Sequence, residues 1–230
     1  GNLGKGLGTS ASGSSALAVA ASYIIYGENS PVLQNRRLMS VFSRFVSGSG
    51  CRSMAGGISM WMSHPEAAPF DCFAIRLDRD KHQSFLKDIS VLTIPIQSKL
   101  KTSQAHEIAP KSPFFPAWLK YRKKLVLDLI EALNEEDFDA IGRLAEYDTM
   151  CLHSITMTAT HDEKIIAWEP DTIKIMHQVR KLRKNGHSAY FSVDTGPSVV
   201  ILTKKADQEE VKTHLKSILP GLRVLNGRIG

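Results

Sequence analysis

Cysteine is scarce: only Cys51, Cys72 and Cys151 occur in 230 residues, with no Cys-x-x-Cys and no paired spacing. That scarcity excludes a secreted disulfide framework and a cysteine-built zinc site, and a reducing cytoplasm fits best. No apolar run reaches the roughly 18–20 residues needed to span a bilayer, and no charged-then-apolar leader precedes a cleavage site. A soluble protein with no membrane partner is therefore expected. Internal repeats and low-complexity tracts are also lacking, which excludes solenoid and disordered classes. The first glycine-rich segment lacks the Lys-Ser or Lys-Thr pair of a Walker loop, and His106-Glu107 lacks the second histidine of a zincin helix. His106-Glu107 and Cys151-Leu152-His153 read as structural.

The remainder is an ordinary globular composition, 43% hydrophobic and 23% charged with 16 Gly and 10 Pro. Its length allows one large domain or two small ones sharing a cleft. The 29 Lys+Arg against 23 Asp+Glu leave a formal charge of +6, which suits an anionic partner without choosing among a phosphorylated metabolite, a nucleic acid and a membrane surface. The basic run Arg180 to Lys184 complements a helix C-terminus and reads as a solvated end. Nucleic-acid binding through it is disfavoured, since no aromatic stacking partners are interleaved.

Along the chain, Thr9, Ser10, Ser12, Ser14 and Ser15 lead into Ala16 to Tyr26, which reads as a tightly packed buried helix stopped at Gly27, and Pro31 to about Val46 reads as a second helix ending at Ser47-Gly48-Ser49-Gly50. Gly57 to Met62 and Asp71 to Leu77 are strand-like and pair most simply as antiparallel neighbours. A charged stretch, Asp78 to Asp88, suggests a boundary between lobes, placed as 1–85 and 86–230. Beyond it the pattern predicts a buried strand over Ile89 to Ile96. Helices follow at Ala117 to Leu133, Asp137 to about Thr158 and Asp171 to Lys184. Strands are predicted over Ser188 to Val193 and Ser198 to Thr203, then a helix near Asp207 to Leu219 and a last strand near Leu222 to Leu225. The second lobe is thus an α+β sandwich. The chain opens at Gly1 on a glycine-rich loop with no strand before it, so an N-terminally incomplete chain is expected.

Gly4-Lys5-Gly6-Leu7-Gly8-Thr9-Ser10-Ala11-Ser12 opens onto a helix. Unpaired N–H groups and the positive end of the macrodipole make an anion site there, glycines admit phosphate oxygens close to the backbone, and the hydroxyls of Thr9, Ser10 and Ser12 add donors or reach a metal. The same residues also read as an exposed Gly/Ser turn with an N-cap serine. Ser47-Gly48-Ser49-Gly50-Cys51-Arg52-Ser53 is a small-residue loop around one arginine, whose planar guanidinium binds carboxylate or phosphate through paired hydrogen bonds; a plain surface arginine is the alternative. In Val193-Asp194-Thr195-Gly196-Pro197-Ser198 a carboxylate ends an apolar strand at a turn, where it serves either structure or acid–base chemistry.

In this order the segments resemble the GHMP small-molecule kinase superfamily, and more closely its mevalonate diphosphate decarboxylase branch. Gly6 to Gly13 looks like the phosphate-binding loop, Ser47 to Ser53 followed by Gly56-Gly57 like the loop bearing a substrate-binding arginine, and Val193 to Pro197 like the segment of the catalytic aspartate. Ser112-Pro113, Asp137-Phe138, Asp148 and His153 are smaller matches. The resemblance implies a two-lobed α+β fold with a ribosomal-S5-like N-terminal lobe and a ferredoxin-like C-terminal lobe. It implies ATP-dependent phosphorylation of the 3-hydroxyl of mevalonate 5-diphosphate, then loss of phosphate and CO2 to give isopentenyl diphosphate. Asp194 and Arg52 would be catalytic; Arg52, Ser49, Thr102 and Ser103 would bind substrate, the latter two on a substrate strand. Gly6, Gly8, Thr9, Ser10 and Ser12 would bind ATP, and Ser10 Mg²⁺. The family's upstream strands, part of its nucleotide-base pocket and its catalytic lysine would precede Gly1. Mevalonate 5-phosphate and 3,5-bisphosphate are alternative substrates, and retention of Asp194 argues against a pure 3-kinase. Homodimerisation is a family-level expectation, and a basic RNA-binding α+β module is the reading from a different class.

Overall fold

The computed structural model describes residues 9–63 and 66–229. The chain forms two compact units, one extending to Gln83 and the other Ser84–Ile229.

In the first unit α1 (Thr9–Tyr26) is followed by α2 (Pro31–Gln34), α3 (Arg36–Val46) and α4 (Gly50–Ala55), then by the strands β1 (Ser59–Met62) and β2 (Phe73–Arg76). The predicted helix over Pro31 to Val46 is two helices. The Asn35 side chain accepts from the Leu38 N–H at 3.0 Å, capping a new helix start where a continuous helix would need its backbone inside the turn. The buried-helix expectation for α1 is also corrected. Its inward face is made of small residues, Ala11, Ser14, Ser15, Ala18 and Ser22, while Leu17, Tyr23, Ile24 and Ile25 are exposed. Small side chains face inward because α1 approaches its neighbours closely: the Ser15 hydroxyl lies 2.9 Å from the Gly50 carbonyl oxygen and 3.0 Å from the Ser43 hydroxyl. A Cβ at Gly50 would stand 2.1 Å from the Ser14 oxygen and 2.8 Å from the Ser43 carbonyl oxygen, so only glycine fits that crossing. Ser40 ties the layer together, donating to the Cys51 carbonyl at 3.0 Å and accepting from the Ala74 N–H at 2.9 Å.

β1 and β2 pair antiparallel from Ser59↔Arg76 to Met62↔Phe73. The ribbon closes on Asp78, whose buried carboxylate accepts from the Ile58 N–H at 2.7 Å and from Arg76 Nε at 2.8 Å. Burial opposes its ionisation most strongly, yet those donors and the guanidinium charge together hold the carboxyl below the usual range.

The second unit begins with α5 (Gln83–Lys87) at its edge and continues through β3 (Ile89–Ile94), α6 (Thr102–Ile108), α7 (Phe115–Asn134), α8 (Phe138–Met157) and α9 (Pro170–Lys184). It ends with β4 (Ala189–Val193), β5 (Val199–Lys204), α10 (Gln208–Ile218) and β6 (Leu225–Arg228). The four-stranded sheet has the order β4-β5-β3-β6 and is antiparallel throughout. That is a ferredoxin-like arrangement with several helices inserted between β3 and β4. The last strand forms later than the predicted Leu222 to Leu225, because pairing begins only at Thr93↔Leu225 and runs to Ser90↔Arg228.

Alternation places Leu92, Ile94, Phe191, Val193, Val199 and Ile201 in one core with Ile175, Val179 and Leu182 of α9 and Val211 and Leu215 of α10. Tyr190 points the other way, onto α8. Its ring lies 5.7 Å from that of Phe138, and its hydroxyl donates to Asp139 at 2.8 Å. Burial, reinforced by that acceptor, pushes the Tyr190 phenol up to about 12. The ring occupies the space over Gly142, where an added Cβ would come within 2.1 Å of Tyr190 Cγ. Replacing Gly142 by Ala is expected to destabilise the second unit by about 1–3 kcal/mol through overpacking, read as a lower urea midpoint at unchanged slope.

Candidate active site

Asp194 follows directly on β4, an edge strand of the sheet. An edge strand presents N–H and C=O groups that its single neighbour leaves unpaired, and here side chains of α8 take them. Glu146 accepts from the Phe191 N–H at 3.2 Å, Thr149 accepts from the Val193 N–H at 2.9 Å, and His153 Nε2–H donates to the Asp194 carbonyl oxygen at 2.9 Å. Because these three are spaced three and four apart, they line one face of the helix. Arg183 reinforces the seam with a two-pronged pair to Glu146 at 2.8 and 3.0 Å and a bond to the Ala189 carbonyl at 2.8 Å. The basic run is thus not wholly solvated: Arg183 turns inward because the strand edge and Glu146 both need a donor.

The far side of the Asp194 turn is held as firmly. Thr172 donates to the Pro197 carbonyl at 2.7 Å, while the Ser198 hydroxyl accepts from the Ile96 N–H at 3.1 Å. Thr195, Gly196, Pro197 and Ser198 are buried and Asp194 is exposed. The Thr195 hydroxyl reaches toward that of Thr102 at 3.4 Å. This contact brings one expected substrate residue beside the turn. Thr102 and Ser103 do not lie on a strand, however. They open α6, where Gln104 reaches back to the Lys101 N–H at 2.9 Å and starts the helix.

Of the other expected residues, those described lie in the first unit. Gly6 and Gly8 fall outside the described residues, and Thr9 begins α1. Ser10 and Ser12 are exposed in its first turns, which carry no acidic residue. The loop expected around Arg52 is shorter than its sequence suggests: Ser49 is the N-cap position of α4, and Arg52 is an exposed helical residue. Helix formation follows from the buried contacts of Gly50 and Cys51, whose thiol donates to the Gly48 carbonyl at 3.2 Å and is pushed above its ordinary pKa by burial. Through Gly50, α4 packs on Ser14 and Ser15 of α1, so the serine-rich helix start and the arginine segment are neighbours within one unit. The arrangement offers exposed hydroxyls, a helix N-terminus and a guanidinium, a donor set for phosphate and carboxylate groups. Among the described residues no helix is long and apolar enough to cross a membrane.

Glu146, Thr149 and Thr172 were not among the expected residues, and Ser198 was noted only as the end of the Asp194 segment. The spacing of polar residues through α8 was the available signal for the first two; nothing local marks Thr172.

A ferredoxin-like unit with an aspartate at the end of its second strand, preceded by a unit with a serine-rich helix start, defines a member of the GHMP kinase superfamily. The family model of the diphosphomevalonate decarboxylase-like N-terminal domain matches residues 2–74, and that of the mevalonate 5-diphosphate decarboxylase C-terminal domain matches residues 80–227. The chain belongs to the mevalonate diphosphate decarboxylase family. It is 29% identical over 199 residues to mevalonate 3,5-bisphosphate decarboxylase of Thermoplasma acidophilum, covering 86% of this chain and 46% of that protein. It is 32% identical over 208 residues to phosphomevalonate decarboxylase of Haloferax volcanii, covering 90% of this chain and 60% of that protein. The solved mevalonate diphosphate decarboxylase of Enterococcus faecalis, studied for ATP binding mediated by mevalonate diphosphate, superposes with a TM-score of 0.80 at 27% identity, over 97% of this chain and 66% of that one. The chain spans about half the length of the curated relatives it matches.

His153 is 2% exposed and its ring centroid lies 4.9 Å from that of Trp168. Burial holds its imidazole below the ordinary 6.5, although the backbone carbonyls of Asp194 and Val193 favour the charged form. The neutral ring carries its hydrogen on Nε2, as the bond to a carbonyl requires. A folded-state pKa below the unfolded value means that the stability contributed by His153 is whole above pH 6.5 and is lost as pH falls through the folded value. An NMR titration of the His153 ring should give a midpoint below 6.5.

Proposed function

We propose that the protein decarboxylates a phosphorylated mevalonate, with Asp194 as the acid–base group and Arg52 as the carboxylate clamp. The observation that carries this reading is an exposed carboxylate on a turn pinned from both sides by buried hydrogen bonds, the preorganisation that a proton-accepting group needs. Within that class the preferred substrate is mevalonate 5-diphosphate and the preferred reaction is ATP-dependent, giving isopentenyl diphosphate. Relatives named for the 5-phosphate and the 3,5-bisphosphate make those the alternatives to test.

A tertiary hydroxyl is a poor nucleophile and a poor leaving group. The Asp194 carboxylate accepts a hydrogen bond from it, orients it, and takes its proton as the oxygen–phosphorus bond forms. ATP would supply the phosphoryl group that turns the hydroxyl oxygen into a leaving phosphate, its terminal phosphorus–oxygen bond breaking to release ADP. Cleavage of the carbon–oxygen bond then leaves positive charge at the tertiary carbon, which Asp194 stabilises as an anion once it has returned its proton to the departing phosphate. The electrons of the breaking carboxyl bond form the new double bond as CO2 departs. Arg52 binds the substrate carboxylate and aligns that bond with the developing charge. Ser49, Thr102 and Ser103 add hydroxyls for the substrate, and Thr9, Ser10 and Ser12 with Gly6 and Gly8 would receive nucleotide phosphates. The first turn of α1 fits such an anion, since it exposes Ser10 and holds no carboxylate. Among the described residues no group of three or more His, Cys, Asp or Glu could hold a metal ion, so Mg²⁺ would be held by the phosphates with a hydroxyl such as Ser10.

The test is to incubate the full-length protein with each mevalonate phosphate, with and without ATP, and to measure CO2 and isoprenoid product. Release of CO2 from none of them would remove the reading. Asp194→Asn is expected to abolish turnover while substrate affinity stays within a few fold. Arg52→Ala is expected to raise KM by roughly 10- to 100-fold, from loss of a charge-assisted pair of about 1.5–3 kcal/mol, and to lower kcat as well.

A further inference from the structure

We propose that His153 is a positioning residue for this reaction: its bond to the Asp194 carbonyl sets the direction in which the Asp194 carboxylate projects. The inference deepens the decarboxylase reading and rests on it for the meaning of turnover.

The last paired residue of β4 is Val193, opposite Val199, so the sheet ladder stops one residue short of Asp194. Thr149 holds the Val193 N–H, one peptide before the one that enters Asp194. On the exit side, the orientation of the Asp194 carbonyl is set by its bond to His153 at 2.9 Å. Holding the chain on both sides of the Asp194 Cα narrows the directions open to Cα–Cβ. His153 therefore helps set where the carboxylate starts. The ring has little freedom to move, since it is buried and lies against Trp168 with a centroid separation of 4.9 Å. An imidazole is an expensive way to fill this space, because a buried polar ring must be hydrogen-bonded to be tolerated. What it supplies that an apolar side chain cannot is one donor, delivered to the backbone of the one exposed residue in an otherwise buried turn.

Three variants of the full-length protein separate this role from packing. Glutamine places an N–H where Nε2 of histidine stands, asparagine falls one methylene short of it, and leucine fills the volume without a donor. His153→Leu and His153→Asn are expected to lower kcat by about 10- to 100-fold with KM within about twofold, and His153→Gln to recover most of the loss. Amide exchange at residues 194–196 should quicken about tenfold or more in the Asn variant and stay near wild type in the Gln variant. Equal kcat for Gln and Asn, a rise in KM at unchanged kcat, or equal exchange at 194–196 in the two would each overturn the proposal. If the Leu variant does not fold, the Gln and Asn pair decides alone. A wild type inactive on every mevalonate phosphate sinks the decarboxylase reading by itself, while the exchange comparison still decides whether His153 holds the Asp194 turn.

Discussion

An edge strand in water is a row of half-used hydrogen-bonding groups, and most of the second unit is organised around satisfying one such row. The outward groups of β4 are taken by Glu146, Thr149 and His153, which a helical period brings onto one line along α8. The same line begins with Asp139 on the Tyr190 hydroxyl and Gly142 beneath the Tyr190 ring. Because every member of the seam meets a backbone group or a ring of β4, helix and strand cannot slide past one another by even one residue without leaving several buried groups unpaired, each worth about 1–3 kcal/mol. The Asp194 turn inherits that register. Its carboxylate is exposed, and the chain that carries it is not free.

The first unit solves a different problem by a related means. Its helices approach so closely that serine and glycine replace the usual leucines at the contact, and hydroxyls are paired where apolar volume would not fit. The result places a helix start rich in hydroxyls next to a short helix carrying an exposed arginine, with no carboxylate in the first turn to repel an anion. Exposed hydroxyls and a guanidinium in the first unit, and an exposed carboxylate on a held turn in the second, are the residue types that the proposed reaction calls for. The family relationship and the residue chemistry therefore support the same class of reaction. The relatives are named for substrates that differ in where they carry phosphate.

How much of this was legible beforehand differs between residues. The apolar alternation of β3, β4 and β5 and the amphipathic pattern of α9 and α10 follow from local composition, and so does the turn after Val193. Asp194 and Arg52 stand out because their neighbours are small and their residue types are reactive. The split of the Pro31 to Val46 segment depends on a single asparagine side chain choosing a backbone N–H, and the outward apolar face of α1 depends on how close α3 and α4 come. Neither is written in hydrophobic periodicity. Arg183 looked like part of a solvated basic end, and only the position of Glu146 on a different helix shows why it turns inward.

Residue order alone determined the strands β3 to β5, the helices α7 to α10 and the identities of the reactive side chains, because those depend on contacts within a few residues. Tertiary structure decided which hydrogen-bond donor serves which acceptor. Thr172 and Pro197 are 25 apart along the chain, His153 and Asp194 are 41 apart, and Ile96 and Ser198 are 102 apart. Such pairings are set by the packing of whole helices on a sheet, whose energy is spread over many residues and leaves no local trace at the ones that end up holding the turn.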